Sequence, residues 1–291
     1  MKKILRPIRS DIYKDVADKV NEYLESGDYP KTITYRTRDK EEHTISSKEV
    51  ADEIKGKIKR GMTKRNVMTQ PYSVTKFGMY QQLVDELDDM EANGKKFWTH
   101  DNWLVAKLLT ELNDRAIVEV VQGARIGQNY LKEVTADLVK GGKFVFYTTP
   151  NIGFPVLHYV TKWKATRVET TLGMLNIRQP TNEIHQIKMV NGIAPNYIHS
   201  LDATLLMMTL LKLYKDNVTS FHFIHDQYGV LVNQIPKLNK AVREAYVELF
   251  RLDPLKQWLS QVYKGFPKDS DSIMINTLDL NKVLESRYIF S

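Results

Sequence analysis

A chain of 291 residues, 42% of them hydrophobic, is long enough for one large or two ordinary globular domains, which excludes disorder as the starting assumption. The absence of cysteine excludes disulfides and thiolate metal sites and leaves His, Asp and Glu as metal ligands. Lys and Arg number 42 against 35 Asp and Glu; the net charge of +7 suits a polyanionic partner but is also ordinary for a soluble protein.

The first half of the chain predicts helices separated by one polar stretch. Apolar residues at helical spacing over 11–25 predict an amphipathic helix, and the polar residues that follow predict a loop or short hairpin. From Lys48 the basic sequence predicts a helical segment with a break near Gly61. Pro71 is expected to end or kink that segment at Gln70.

The second half mixes helices and hairpins. The pattern predicts, in order, two helices over 99–142, a strand in "KFVFYTT", a long extended hairpin over 155–189, a helix from Pro195 to about Lys215, a buried hairpin over 221–232 and a helix from Pro236. The sequence therefore predicts a mostly helical α+β fold. The N-terminus lacks a signal-peptide pattern and no apolar run reaches membrane-spanning length, which predicts a soluble, cytoplasmic protein without a membrane partner.

Three segments contain candidate functional residues, and the first is "RGMTKRNVMTQPYS", residues 60–73. Arg60 and Lys64 are four residues apart and project from one face of a helix, and Tyr72 follows two turns later. Two cations and a phenol can hold a triphosphate while the ring packs against a base or sugar. The alternative is an ordinary solvated basic helix face.

The second segment, "FHFIHDQYGV", residues 221–230, alternates like a hairpin and places Asp226 at its turn. An aspartate there is also ordinary turn chemistry. In the third segment, "NGIAPNYIHSLDA", a polar stripe of Asn196, His199 and Asp202 begins an apolar helix. The stripe could face a groove of a nucleic-acid duplex, but a lone histidine on a helix is more often structural.

In this order, the segments resemble the C-terminal part of the single-subunit RNA polymerases of bacteriophage and mitochondrial type. "RGMTKRNVMTQPYS" resembles motif B of that family and "HDQYG" resembles motif C; "GFPV", "GIAPNYIHSLDA" and the chain end "LESRYIFS" resemble further signature segments. The resemblance covers nearly the whole chain. It implies a right-hand polymerase fold, with connecting helices of palm and fingers in 1–58, fingers in 59–154, a specificity hairpin in 155–190 and palm with a C-terminal foot in 191–291, as one continuous unit.

The resemblance implies a role for each candidate residue in template-dependent nucleotidyl transfer. Asp226 would be one of two aspartates that bind the catalytic pair of Mg²⁺ ions. Lys64, assisted by Arg60, would contact the incoming ribonucleoside triphosphate. Tyr72 would lie beside the sugar and help to select ribose, whose 2′-hydroxyl separates the two nucleotide classes. His199 would contact the minor groove near the primer end.

The segment 155–190 occupies the place of the family's specificity hairpin, which enters the promoter major groove. Its candidate DNA contacts are Lys162, Trp163, Lys164, Arg167 and Arg178. The alternative is an ordinary surface hairpin.

Two residues depart from the family pattern. Ser73 stands where the family usually has glycine, which leaves the detail of sugar selection open. Gln227 stands where relatives have serine and where DNA polymerases with this palm usually have glutamate. Because glutamine carries no charge, this departure, together with "GIAPNYIHSLDA", favours RNA synthesis.

Motif A, which supplies the family's other metal-binding aspartate, has no counterpart here: Asp11 lies at a predicted helix start in "PIRSDIYKD". One carboxylate cannot hold two Mg²⁺ ions.

Since the chain runs from a methionine to the family's usual terminus, we expect a complete gene product, located in the host cytoplasm if it is viral. The leading hypothesis is a split polymerase whose second subunit carries motif A, with DNA template and nascent RNA as further partners. The alternatives are a family-A DNA polymerase fragment, a non-catalytic nucleic-acid-binding remnant and the product of a truncated gene.

Overall fold

The computed structural model of the chain describes residues 11–36, 42–263 and 279–286. The chain divides after Ile126 into two compact units. Residues 11–126 form the first unit, and the described residues from Gly127 onward form the second. The predicted aromatic tail, from Arg287 onward, lies outside the described residues.

The first unit is helical apart from one short hairpin. Its elements are α1 (Ile12–Ser26), β1 (Thr32–Arg36), β2 (Glu42–Ser46), α2 (Ser47–Ile54), α3 (Arg60–Thr69), a 3₁₀ turn (Gln70–Tyr72), α4 (Lys76–Ala92) and α5 (Asn102–Val120). Apolar side chains of α1, α4 and α5 form its core, among them Val20, Leu24, Leu83, Leu87 and Leu109. The predicted first helix and the predicted hairpin are confirmed.

Helix α1 shows how local sequence sets these bounds. The Asp11 carboxylate accepts a hydrogen bond from the backbone N–H of Tyr13 at 3.0 Å and so caps the helix start. At the other end Gly27 has φ +73°, a left-handed conformation that glycine adopts without steric cost, and its N–H donates to the carbonyl of Tyr23. The apolar residues between the caps are buried.

The second unit combines long helices with three hairpins. Its elements are α6 (Gln122–Lys140, which begins before the division), β3 (Val145–Thr148), β4 (Pro155–His158), β5 (Thr161–Thr170), β6 (Gly173–Ile184), α7 (Gln186–Lys215), β7 (Phe221–Ile224), β8 (Gln227–Val230), α8 (Ile235–Arg251), α9 (Pro254–Val262) and α10 (Asn281–Glu285). Tyr147, Tyr197 and Trp258 form an aromatic cluster that joins β3, α7 and α9, with ring centroids 6.0–6.3 Å apart.

Every sheet in the described ranges is a two-stranded antiparallel pair: β1 with β2, β3 with β4, β5 with β6 and β7 with β8. Together with the predominance of helix, this confirms the predicted α+β class. The right-hand arrangement and the segment boundaries at residues 58, 154 and 190 stay predictions.

One predicted element bound is wrong in the first unit's basic segment. The break lies at residues 55–59 rather than near Gly61, which is in the first turn of α3. The connection begins with a turn at Lys55 and Gly56, after which the Asn21 side chain accepts a hydrogen bond from the N–H of Ile58 at 3.1 Å and donates one to its carbonyl at 3.0 Å. Helix α3 then ends at Thr69, just before Pro71, close to the predicted end at Gln70.

Helix α7 begins nine residues before its predicted start, because Pro195 lies inside it rather than at its first turn. Proline removes one helical hydrogen bond, a cost of roughly 3 kcal/mol in a helix interior. Met189, Ile193 and Tyr197 are buried in one cluster on both sides of Pro195, and their burial offsets that cost. The extended hairpin is correspondingly shorter, 161–184, and β4 pairs with β3 instead.

A carboxylate fixes the segment before α5 to α2. Glu53 accepts hydrogen bonds from the N–H and hydroxyl of Thr99, and the His100 imidazole lies 3.0 Å from it. Burial raises the pKa of Glu53, but hydrogen bonds from His100 and Thr99 outweigh that effect and lower the pKa to about 2 from its ordinary 4.5. Glu53 therefore favours the folded chain when it is ionised.

We expect Glu53→Gln to destabilise the chain at neutral pH and to remove part of its acid sensitivity. Because the folded pKa is depressed, the contribution of Glu53 is complete above pH 4.5 and disappears as the pH falls to about 2. The difference between the urea midpoints of wild type and variant should therefore shrink as the pH is lowered from 4.5 to about 2. Asp52→Asn, at an exposed neighbour, is the control and should give a constant difference.

Candidate functional site

The predicted catalytic residues lie in both units. Arg60, Lys64 and Tyr72 belong to α3 and the 3₁₀ turn that follows it in the first unit. His199 on α7 and Asp226 on the β7–β8 hairpin belong to the second.

Helix α3 is held on its inner face by a chain of uncharged amides. Asn66 donates to the carbonyl of Met79 at 3.2 Å and to Gln82 Oε1 at 3.0 Å. Asn113 on α5 donates to Asn66 Oδ1 at 2.9 Å and to the carbonyl of Met62 at 3.3 Å. Because these groups are buried, a lost partner would leave an unsatisfied polar atom, and the network fixes α3 against α4 and α5. Sequence reasoning missed this network, because its amides are 16 and 47 residues apart along the chain and on three different helices.

Arg60 has an intramolecular partner. Its Nε lies 2.5 Å from Asp11 Oδ2, and its guanidinium lies over the Tyr13 ring at 4.8 Å. Burial raises the pKa of Asp11, but the hydrogen bonds from Arg60 and from the N–H groups of α1 prevail and hold it below its ordinary value. Arg60 therefore ties the start of α3 to the start of α1.

Lys64 differs from Arg60. Its side chain is exposed, and within the described ranges it has no ion pair or side-chain hydrogen bond. The neighbouring Arg65 pairs with Asp85 at 3.2 Å, with both side chains more than half exposed. The ammonium group of Lys64 is therefore exposed on a helix that buried amide hydrogen bonds hold in place on its inner face.

Tyr72 ends the 3₁₀ turn after α3 and is 41% exposed. The next residue, Ser73, has φ +63° and ψ +36°, in the left-handed region, and its N–H donates to the carbonyl of Gln70 at 3.1 Å. Left-handed backbone favours glycine, so the family's usual residue suits the local conformation better than the serine present here.

We expect Ser73→Gly to stabilise the chain by about 1 kcal/mol, because relief of the left-handed strain exceeds the added chain entropy of glycine. Chemical denaturation of the purified chain measures this. Ser220→Gly, at an exposed position outside the left-handed region, is the control and should be neutral or destabilising. Equal effects of the two substitutions would contradict the strain argument.

The β7–β8 hairpin places Asp226 at an exposed tip. Phe223 pairs with Tyr228 and Ile224 with Gln227, so the turn consists of His225 and Asp226; the predicted position of Asp226 at the turn is confirmed. His225 has φ +50°, and a Cβ at Gly229 would approach the carbonyl oxygen of His222 to 3.2 Å. The predicted burial of the hairpin is wrong: one side packs against Leu213, Val218 and Ala241, and the other side is exposed.

A second carboxylate lies beside this turn. Asp202 Oδ2 on α7 is 3.6 Å from Nδ1 of His225. Burial, followed by the charges of Asp202 and Asp226, raises the pKa of Tyr228 to about 12, which places both carboxylates in the electrostatic environment of one phenol. The sequence identified Asp202 only as part of a polar stripe.

The three side chains of that polar stripe have different surroundings in the structure. Asn196 Oδ1 accepts a hydrogen bond from the Tyr147 hydroxyl at 3.2 Å, so Asn196 faces the aromatic cluster. His199 is exposed, and Asp202 faces the hairpin turn. A spacing of three residues advances about 300° around a helix, so successive members rotate by about 60° and do not share one line.

The candidate DNA contacts lie on the β5–β6 hairpin, 161–184, and Lys162, Lys164, Arg167 and Arg178 are all exposed. Lys162 pairs with Glu183 at 2.9 Å. Trp163 is 57% exposed and Leu172, near the tip, is 99% exposed.

No group of three or more His, Asp and Glu residues within the described ranges could hold a metal ion. In the second unit Asp202 lies close to the turn that contains Asp226, so two carboxylates are the largest acidic group at this turn among the described residues. Among the same residues, no helix is both long and apolar enough to cross a membrane.

Comparison with known proteins identifies the family. A family model described as DNA-dependent RNA polymerase matches residues 5–282. The mitochondrial DNA-directed RNA polymerase of Schizosaccharomyces pombe is 28% identical over 97% of this chain and 26% of its own length. The DNA-directed RNA polymerase of Enterobacteria phage K11 is 28% identical over 97% of this chain and 35% of its own length. The chain thus spans about a quarter to a third of these relatives. Since the family model matches almost every residue, the chain belongs to the DNA-dependent RNA polymerase family.

Proposed function

We propose that the chain is part of a DNA-directed RNA polymerase and contributes the nucleotide-binding helix and one metal-binding carboxylate to template-dependent ribonucleotidyl transfer. The observation that carries this proposal is Asp226 at the exposed tip of a hairpin whose base packs on α7 and α8. A carboxylate on such a rigid support keeps its position when it binds a cation.

Asp226 would hold Mg²⁺ together with an aspartate from elsewhere in the polymerase. When bound, a pair of Mg²⁺ ions activates the primer 3′-hydroxyl and neutralises charge on the leaving pyrophosphate. Asp202 lies behind the turn and adds negative charge beside Asp226, which favours a cation there.

Lys64 would bind the triphosphate of the incoming ribonucleotide, because its ammonium is exposed on a helix that buried amides hold in place. Arg60 would assist Lys64 in binding the triphosphate if its guanidinium contacts the triphosphate while it stays paired with Asp11. Tyr72 would contact the sugar, and His199 would contact the minor groove near the primer end. The cations of the β5–β6 hairpin would contact DNA.

The missing aspartate would come from a second polypeptide. Motif A has no counterpart in the sequence. This chain matches only 26% and 35% of the length of the two relatives, so each relative is roughly three to four times as long as the matched portion. DNA template, nascent RNA and ribonucleoside triphosphates would be the remaining partners.

Co-expression with the product of a gene that carries motif A tests the proposal. The pair should copurify and extend an RNA primer on a single-stranded DNA template in the presence of Mg²⁺. If neither that product nor a longer form of this chain restores synthesis, the proposed function is wrong. Preference for deoxyribonucleotides would identify a DNA polymerase instead.

We expect Tyr72→Phe to reduce the preference of the assembled enzyme for ribonucleotides over deoxyribonucleotides by about 3- to 10-fold, the effect of one lost hydrogen bond. Competition between the two nucleotide classes on one template measures this ratio. Tyr80→Phe on α4 is the control and should leave the ratio unchanged. An unchanged ratio in Tyr72→Phe would refute the assignment of the phenol to sugar selection.

A further inference from the structure

A buried arginine on α8 has only neutral partners. Arg243 is 7% exposed. Its Nε donates to Oδ1 of Asn239 at 2.6 Å, and its Nη1 donates to the carbonyl of Val283 at 2.7 Å. Within the described ranges no carboxylate pairs with the guanidinium, and Nη2 has no acceptor. A charge that is taken out of water costs free energy unless an opposite charge compensates it, so Arg243 is suited to bind an anion.

Arg243 lines a cavity of about 590 Å³ between α8 and α10. Ile235 and Pro236, at the start of α8, and Leu284 of α10 supply the apolar part of its lining. Because α8 begins at this cavity, the dipole of the helix also favours negative charge there. The cavity thus combines a buried cation with an apolar lining.

The side chains that line the cavity leave one positive charge uncompensated. Lys240 and Glu244 lie 3.8 Å apart in an exposed pair, so their charges largely balance each other. Arg243 remains, and one carboxylate balances it and matches its planar guanidinium. The successive phosphates of a nucleic acid would instead bring further negative charges close to Glu244. The cavity therefore favours a single carboxylate.

The apolar lining is accessible from outside the chain. Ile235 is 51% exposed and Leu284 is 45% exposed. Val232, in the 3₁₀ turn (Val232–Gln234) that leads into α8, is 83% exposed. Large apolar side chains exposed around one cavity are typical of a protein–protein contact. The carboxylate that the cavity favours is therefore expected on a protein segment with apolar neighbours.

The charge of the chain disfavours a second copy as the source of that segment. Each copy has a net charge of +7, so two copies repel each other. The second polypeptide of the proposed polymerase is the better source. Because this chain matches only 26% and 35% of the length of two relatives, that polypeptide would contribute the larger part of the enzyme.

We propose that this cavity is a docking site for the second polypeptide, which inserts the carboxylate of an aspartate or glutamate beside Arg243 while apolar neighbours of that residue cover Ile235 and Leu284. The inference rests on the proposed function, in which a second polypeptide carries motif A. It adds a contact that holds the two polypeptides together and takes no part in binding metal or nucleotide.

The affinity of the purified full chain for the purified second polypeptide, measured by biolayer interferometry, tests the inference. Ile235→Asp introduces a carboxylate into the cavity, where it competes with the incoming one, and should weaken binding by about tenfold or more. Leu252→Asp is the matched control, because Leu252 is also 51% exposed but lies just past the other end of α8. It should change the affinity by less than about twofold.

Removal of the buried cation is the second arm of the experiment. Arg243→Gln should also weaken binding by about tenfold or more, because it removes the charge that the carboxylate balances. Arg251→Gln removes an exposed cation from the last turn of the same helix and should change the affinity by less than about twofold. Since Arg243 also bonds to Val283, thermal melting establishes that each variant is folded. Ile235→Asp leaves that bond in place.

The outcomes separate this inference from the proposed function. If Ile235→Asp and Arg243→Gln bind the second polypeptide as tightly as wild type, the inference is wrong, although primer extension by the assembled pair still supports the proposed function. Equal losses in Ile235→Asp and Leu252→Asp would also overturn it, since they would indicate a diffuse effect of charge.

Two further results would identify a different occupant and overturn the inference. One is self-association of the wild-type chain in sedimentation that Ile235→Asp abolishes, which would identify a second copy. The other is binding of single-stranded DNA that Ile235→Asp abolishes while the affinity for the second polypeptide is unchanged. Failure of the wild-type chain to bind the second polypeptide at all would refute both the inference and the proposed split enzyme.

Discussion

Asp226→Asn is expected to lower the rate of RNA synthesis by the assembled polymerase by about a thousandfold or more, the largest effect that we predict for any substitution. Asparagine preserves the size of the side chain but removes the charge that binds the cation. The rate of single-nucleotide addition to a primed template at saturating ribonucleotide measures the effect. Because Asp226 lies at an exposed turn, the folding of the chain should be unaffected.

Asp216→Asn is the control for this experiment. Asp216 is an exposed aspartate in the same unit, at the C-terminal end of α7, and its removal should leave the rate unchanged. If the polymerase assembles with Asp226→Asn and still adds ribonucleotides at the wild-type rate, Asp226 does not bind the catalytic metal.

Lys64→Ala is expected to lower kcat/KM for the incoming ribonucleotide by roughly a hundredfold, because it removes a charge-assisted hydrogen bond to the triphosphate. If Lys64 contacts the triphosphate mainly in the transition state, most of the loss will appear in kcat; if it contacts substrate and transition state equally, the loss will appear in KM. Steady-state incorporation at varied nucleotide concentration separates the two cases.

Arg65→Ala is the matched control on the same helix. Arg65 is engaged in an exposed ion pair with Asp85, so its loss should change kcat/KM by less than about twofold. Equal effects of Lys64→Ala and Arg65→Ala would show that the helix contributes only diffuse positive charge, which was the alternative interpretation of its basic face.

The two candidate cations of α3 were equivalent in the sequence, since both lie on one face of a predicted helix. The structure separates them, because Arg60 pairs with Asp11 and packs on Tyr13 whereas Lys64 does neither. Asp11 is 49 residues away along the chain, so local spacing contains no information about this contact. We therefore expect Arg60 to contribute to stability as well as to any role in catalysis.

Sequence spacing predicted a hairpin with Asp226 at its turn because strand alternation and turn residues are local properties. It did not predict that Asp202 lies beside this turn, since that proximity depends on the packing of β7 and β8 against α7 and α8. The same holds for the burial of the hairpin, which the apolar alternation overstated.

The amino-acid sequence by itself determined most of the helical segments, the start of α1 at Asp11, the hairpin turn at Asp226 and the order of motifs that resembles the polymerase family, because each depends on neighbours within a few residues. Only the tertiary structure decided that α7 continues through Pro195, that Asn66 and Asn113 fix α3, and that the buried Arg243 bonds to the carbonyl of Val283. Those outcomes depend on burial and pairing between residues far apart in the chain, where packing energy overrides local preference.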